Sequence, residues 1–238
     1  MMRRALALFG MAFALSLTAA PALASNVSIA LENAHDAELG DAVNRLQHGD
    51  PAGAETIFTK VIGAYEAQAK PGQTYRCAED MKDSIAVSAR SKLATSGDVT
   101  ILGSGWCIAL WGEGFALIDL NRSDEALPFL ARAVEMAPTR AHYVNEYAEW
   151  YKSHHQWQKA HDLFAQAWKI VDHDKKGPDR KVAARALRGI AFTTVELGDL
   201  EAGEKLLRQS QQYEPESEAA KSELEYIRQQ RQSGKSVS

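Results

Sequence analysis

A fixed spacing of small and apolar residues returns four times along this chain of 238 residues. Successive positions of this column are 12, 4, 3 and 5 residues apart. Small residues allow two antiparallel helices to pack closely, and steps of 4 and 3 keep side chains on one helical face. Each copy therefore predicts a helical hairpin. The copies are Ala42, Ala54, Phe58, Val61, Glu66; then Gly114, Ala126, Leu130, Ala133, Pro138; then Ala148, Ala160, Phe164, Ala167, Asp172; and Ala191, Gly203, Leu207, Ser210, Pro215.

A turn signal separates the two predicted helices of every copy. Proline at the last position of two copies, Pro138 and Pro215, ends the second helix because proline cannot continue one. The turn segments, at 48–51, 121–124, 154–156 and 197–199, are rich in Gly, Asn, Asp, Ser and His.

This pattern resembles the tetratricopeptide repeat (TPR), in which a small residue of the first helix is followed by A-x3-F and a closing proline every 34 residues. The resemblance covers residues 106–215 well and residues 36–66 weakly, and Asp172 and Glu66 stand where proline is usual. It implies an all-α fold, a superhelical array of antiparallel helix hairpins that forms a TPR-like solenoid.

Two departures from the repeat divide the chain into parts. The repeat is displaced by nine residues at the charged loop of 172–179, and residues 72–105 fit the repeat least. In the latter stretch, residues 75–94 suit a helix and residues 99–102 an extended segment. These features predict a degenerate repeat with one irregular insert over 25–105 and TPR-like repeats over 106–215. The last part, 216–238, is predicted to be a capping helix to about 230 followed by a disordered tail over 231–238.

The first 24 residues have the parts of a secretory signal peptide. Two arginines precede an apolar run over 5–20, and Ala22 and Ala24 have the spacing of a signal peptidase site. The run is shorter than the roughly 20 residues that cross a bilayer. We therefore expect cleavage after Ala24 and export, to the periplasm or the cell exterior, of a chain without a transmembrane segment. An uncleaved anchor is the alternative.

Cys77 and Cys107 are the two cysteines of the chain. A helix of about 20 residues is about 30 Å long, and about ten extended residues return over the same distance. Cys77 near the helix start and Cys107 after the extended segment can therefore meet. An oxidising compartment favours a disulfide. Two buried free thiols are the alternative, since a reduced cysteine behaves as a small hydrophobic residue.

Composition and motifs argue against several functions. The formal net charge is −4, and −6 without the first 24 residues, which argues against nucleic acid as the partner. No phosphate-binding glycine loop, nucleophile elbow or H-E-x-x-H pair occurs. His154 and His155 lie in a predicted turn without metal-ligand spacing. We therefore predict no catalytic residue, no metal and no cofactor.

The TPR resemblance also implies a binding groove. In that family the groove residues lie three before, and one, four and five after, the small residue of the first helix. Asn145, Lys152, Arg185 and Arg188 are placed to hold a carboxylate by charge-assisted hydrogen bonds, and a solvated basic patch is the alternative. Packing against the irregular segment is the alternative for Trp111, Phe115 and Ile118. The set is Trp111, Phe115, Ile118, Asn145, Glu149, Lys152, Arg188 and Phe192, with Arg185 one turn before Arg188.

These observations predict a non-catalytic exported scaffold that binds a protein or peptide of unknown identity in this groove. Self-association stays open. One alternative is a metal-binding or enzymatic envelope protein that uses the region of His154 and His155. Another is a structural subunit of an envelope complex whose partner covers Trp150, Tyr151 and Trp157.

Overall fold

Ten helices and three short strands make up the parts of the chain that the computed structural model describes, residues 26–94, 97–171 and 173–233. In chain order they are β1 (Val27–Ala30), α1 (Asp36–Gln47), α2 (Pro51–Gln68), β2 (Thr74–Cys77), α3 (Met81–Ala94), β3 (Val99–Leu102), α4 (Gly105–Asp119), α5 (Ser123–Met136), α6 (Ala141–Ser153), α7 (Trp157–Ile170), α8 (Arg180–Glu196), α9 (Leu200–Ser210) and α10 (Glu218–Ser233). Four hairpins pair α1 with α2, α4 with α5, α6 with α7, and α8 with α9. The predicted array of helix hairpins is confirmed.

The repeated column forms the interior of the hairpins. Residues at its first four positions are buried in all four copies. A methyl group added to Gly114 would lie 2.7 Å from the Leu130 side chain, and one added to Gly203 would lie 2.4 Å from Val195. The short distance between the paired helices therefore requires the small residues. Asp172, at a fifth position, lies outside the described residues.

Neighbouring hairpins meet where a phenylalanine ring covers a glycine. The buried ring of Phe58 in α2 lies over Gly112 in α4, and that of Phe164 in α7 lies over Gly189 in α8. A methyl group on either glycine would come within 2.3 Å of a ring carbon. These contacts set how closely one hairpin stacks on the next.

The irregular insert contains a small parallel sheet. β3 lies between β1 and β2, and Val99 is opposite both Val27 and Thr74. α3 connects β2 to β3, and its Val87 packs on Val99 and Ile101.

The sequence predicted only part of this insert. The extended segment at 99–102 is confirmed as β3, but the helix predicted over 75–94 begins at Met81, because residues 74–77 pair with β3 as β2. β1 and β2 were not predicted. Each has four residues, which is too short for an alternation of apolar and polar residues to be recognised.

The parallel register brings the cysteines together. Cys77 is opposite Leu102, and Cys107 lies in the first turn of α4. Their sulfurs are 2.01 Å apart, at bonding distance, and both residues are buried. A disulfide that closes a loop of this size contributes about 3 to 4 kcal/mol on the chain-entropy model.

The last helix covers the end of the array. Ile227 of α10 packs with Ala191, Val195 and Leu207. α10 reaches Ser233, three residues beyond the predicted end near 230, so the predicted tail over 231–238 begins in a helix. Residues 1–24, the predicted signal peptide, and 234–238 lie outside the described residues. No helix in the described ranges has the length and apolar character needed to cross a membrane.

Substitution of Gly112 tests the contact between hairpins. Gly112→Ala should lower the free energy of unfolding by about 1–3 kcal/mol, because the Phe58 ring must move to admit a methyl group. Urea denaturation followed by circular dichroism measures the change.

Gly63→Ala is the matched control. Gly63 also lies inside a helix, α2, but nothing lies within 4 Å of the position of its added Cβ. Alanine there should raise stability by about 0.5–1 kcal/mol. Equal effects of the two substitutions would contradict the close ring contact.

Candidate functional site

The residues predicted to line a groove lie on the first helices of the last three hairpins. α6 packs against α8, and the rings of Trp111 in α4 and His142 in α6 have centroids 5.0 Å apart. We call this surface the first-helix face. It consists of the partly exposed residues Trp111, Phe115, Ile118, Glu149, Lys152, Arg185, Arg188 and Phe192.

The α4 part of the first-helix face is aromatic. The ring centroid of Trp111 is 5.8 Å from that of Phe115 and 6.2 Å from that of Tyr143. Trp111, Ile118 and Tyr147 of α6 pack against one buried cluster that contains Leu117 and Trp150. The indole Nε1 of Trp111 is buried and has no hydrogen-bond partner among the described residues. This end therefore offers apolar surface.

The part on α6 and α8 is charged, and its cations are paired. Lys152 Nζ is 2.6 Å from Glu149 Oε2 and also lies over the ring of Phe192, 5.0 Å from its centroid. Arg185 donates to both carboxylate oxygens of Glu146, at 2.5 and 2.9 Å, and its Nε is 3.8 Å from Glu149. The ion pairs of Arg185 connect α8 with α6.

Arg188 completes the row of cations. Its Nη1 donates to Glu214 Oε2 at 2.6 Å. Glu214 comes from the segment between α9 and α10. The three cations that the sequence placed in a carboxylate-binding site therefore each contact a carboxylate of the protein itself.

Glu223 of α10 adds a fourth carboxyl to this region. One of its oxygens, Oε2, is buried and has no hydrogen-bond partner in the described part of the chain. Burial raises the pKa of Glu223 to about 7, and the neighbouring charges of Lys152 and Arg188 act in the opposite direction. Four carboxyl groups thus face three cations.

Sequence reasoning missed Glu223, although a signal exists. Glu223 follows Arg188 by 35 residues, one more than the repeat period, so it occupies nearly the same column of first-helix positions. The sequence pattern of this helix predicts only a cap for the array.

The structure places Asn145 differently from the prediction. Its side chain is completely buried, and its Nδ2 donates to the backbone oxygen of Val182 at 3.1 Å. Asn145 therefore connects α6 to α8 instead of lining an open surface, because α8 packs directly over it. Its Oδ1 has no hydrogen-bond partner among the described residues.

Trp150 is also not the exposed residue that was expected. It is 7% exposed, and its Nε1 donates to the backbone oxygen of Ser123 at 2.8 Å. Tyr151 and Trp157 are partly exposed. The aromatic patch proposed for a structural partner is therefore reduced to these two residues.

The two histidines of the turn have structural contacts. His154 stacks on Trp150 with ring centroids 3.8 Å apart, and its Nδ1 is 2.7 Å from the Trp150 backbone oxygen. His155 has a φ of 55° and is exposed. Across the described ranges, no three His, Cys, Asp or Glu side chains are grouped in a way that could hold a metal ion.

A second carboxyl with a raised pKa, that of Glu113, lies outside the first-helix face, between α2 and α4. Thr59 Oγ1 donates to Glu113 Oε1 at 3.1 Å, and Glu113 is 4% exposed. Burial raises the pKa of Glu113 to about 7.

Solved TPR structures share the fold of this chain. YrrB, described as a TPR protein with an unusual peptide-binding site, is 16% identical with a TM-score of 0.50, over 79% of this chain and 72% of that one. A MamA double mutant is 12% identical with a TM-score of 0.53, over 85% and 87%. TPR-like repeats of a putative kinesin light chain from Podospora anserina are 14% identical with a TM-score of 0.52, over 84% and 97%. No family model and no curated protein matches the sequence. These likenesses show a TPR-like fold.

The two raised carboxyl pKa values predict a pH dependence. Both carboxyls are neutral in the folded protein up to about pH 7, whereas the ordinary pKa is 4.5. The stability that these two carboxyls give the folded protein is therefore full below about pH 4.5, where they are protonated in the unfolded chain as well. It is lost as the pH rises through 7. Glutamine stays neutral, so Glu113→Gln and Glu223→Gln should gain stability relative to the wild type between about pH 5 and pH 8. Urea denaturation across this range should show about 1–3 kcal/mol for Glu113 and less for the more exposed Glu223.

Glu201→Gln serves as the control because Glu201 is an exposed glutamate of α9. Its stability difference from the wild type should stay constant over the same range. If the other two differences were equally constant, the burial of neutral carboxyls would be wrong.

Proposed function

We propose that this protein is a non-catalytic scaffold that binds an extended segment of a partner protein across the first-helix face. The observation that carries this proposal is the composition of that face. Half-exposed aromatic rings lie at one end and a charged row at the other, while the hairpin interiors are filled by the repeated column. Aromatic and arginine side chains are enriched in protein interfaces. The peptide-binding site named for YrrB, which has the same fold, supports the same use here.

The charge balance indicates the chemistry of the segment. A free carboxylate would have to displace Glu146, Glu149 or Glu214 from the cations that they contact. A cationic side chain meets no such competition, because the four carboxyl groups of this region, including Glu223, outnumber its three cations. We therefore favour a segment with a lysine or arginine near Glu223 and an apolar side chain over Trp111 and Phe115, rather than a chain end held by its carboxylate.

We further propose that the protein works outside the cytoplasm, in the periplasm or the cell exterior, after cleavage following Ala24. The signal-peptide pattern of residues 1–24 supports export. The buried cysteine pair at bonding distance supports it independently, because disulfides persist in oxidising compartments.

Expression of the full chain in a bacterium with an oxidising periplasm tests export. The protein recovered from the periplasm should have the mass of residues 25–238 and, after unfolding without reductant, no reactive thiol. Intact mass spectrometry and thiol titration measure both quantities. An uncleaved protein confined to the membrane fraction, or two free thiols in the periplasmic protein, would contradict the proposal.

Selection from a random peptide library tests the binding face. Peptides enriched on the immobilised wild type should contain apolar and basic residues. They should bind Phe115→Ala and Glu223→Gln at least about tenfold more weakly, which corresponds to about 1.4 kcal/mol. Isothermal titration calorimetry of the enriched peptides measures the affinities.

Lys205→Ala is the control for these variants, since Lys205 is exposed on α9, away from the first-helix face. Asn145 is unsuitable for this purpose because its loss would disturb the packing of α6 on α8. Enriched peptides that bind all three variants as tightly as the wild type would remove the first-helix face from consideration.

A further inference from the structure

β1 forms an unprotected edge of the parallel sheet. β3 lies on one side of it, and no strand of the described residues lies on the other. Proteins protect such edges with charged residues, proline or a covering element, because unpaired N–H and C=O groups attract other strands. The sequence of β1 is Val-Ser-Ile-Ala, which contains neither charge nor proline, and three of its four residues are exposed.

The register of β1 shows which backbone groups are available. Val99 N donates to Asn26 O, and Gly103 N donates to Ala30 O. Bonding to one neighbour alternates along a strand, so the even-numbered residues of β1 bond to β3. The N–H and C=O groups of Val27 and Ile29 therefore point away from the sheet.

α3 exposes apolar side chains although it packs on the sheet. It buries Ser84 and Ser91, while Met81 is 58% exposed and Ile85 is 65% exposed. Ile29 of β1 is 44% exposed as well. Three of the largest exposed apolar side chains of the described chain therefore belong to the insert.

Helix geometry places these side chains on the β1 side. Arg90 of α3 donates a hydrogen bond to the backbone oxygen of Pro138. The side of α3 that carries Arg90 therefore faces the hairpin array. At 100° per residue, Met81 and Ile85 lie on the opposite flank. β2 is the strand next to the array, where Arg76 is 3.7 Å from Glu135, so that opposite flank faces β1. Met81, Ile85 and Ile29 thus border one apolar surface above the free edge.

We propose that two copies of this chain pair through β1 and form one continuous six-stranded sheet. Antiparallel pairing about a twofold axis near Ser28 would place Val27 of each copy opposite Ile29 of the other. The same segment then serves both sides, as a twofold interface requires. The axis leaves both α3 helices on one face of the joined sheet. Met81 and Ile85 of the two copies would then approach each other above the paired strands and cover Ile29.

Analytical ultracentrifugation of the purified protein tests this pairing between about 5 and 200 µM. The wild type should change with concentration from the mass of one chain to that of two. Ile29→Lys and Ile85→Lys should each weaken dimerisation at least tenfold, because either substitution places a charge in the joint apolar surface. Both side chains are exposed, so at 5 µM, where the wild type is expected to be a single chain, the circular dichroism spectrum and melting temperature of the variants should match those of the wild type.

Leu197→Lys provides the comparison, because Leu197 is similarly exposed, at 49%, beyond the end of α8. This variant should dimerise like the wild type. A wild type that stays monomeric at 200 µM would overturn the proposal, and it would mean that the edge accepts a strand of another protein or none. A dimer that Ile29→Lys leaves equally tight would overturn it as well.

Discussion

Close approach of neighbouring helices is the constraint on which this structure depends. Within a hairpin, glycine or alanine occupies the crossing, and between hairpins the rings of Phe58 and Phe164 lie directly on Gly112 and Gly189. Interiors are as densely packed as organic crystals, so one added methyl group shifts a helix. Because the same distance is repeated, the first helices come to lie side by side. A continuous row of their side chains is then left for binding rather than for packing.

The sequence predicts the array well because each copy of the column has the same physical cause. Two helices that pack closely need small residues where they cross. Four copies with identical offsets are hard to obtain by chance, and every helix of the four hairpins was expected. The insert was predicted less well. β1 and β2 have four residues each and are fixed by pairing with β3, a contact between residues 72 positions apart for β1. Such pairing leaves no local pattern, whereas the β3 segment, Val-Thr-Ile-Leu, has the β-branched composition of a strand.

The binding face illustrates a second limit of sequence reasoning. Repeat positions predict which face of a first helix a side chain occupies, and eight of the nine expected residues are partly exposed there. They do not predict how the next helix covers that face, which is why Asn145 is buried under α8. Nor do they reveal charge pairing. Glu146, Glu214 and Glu223 each come from a position outside the expected set, and together they change a basic patch into a nearly balanced network.

This balance alters how the first-helix face would recognise a partner. An arginine whose carboxylate partner is removed keeps the cost of its own burial, so a ligand gains only the difference between its own contact and the one that it replaces. Partner choice then depends on how well a segment substitutes for an internal carboxylate or satisfies an unpaired oxygen, rather than on net attraction. Satisfying an unpaired oxygen costs least at Glu223, since its buried Oε2 has no partner to lose. α10, whose Ile227 seals the end of the array, therefore also contributes the carboxyl group that makes the charged side of the face favour a cationic ligand.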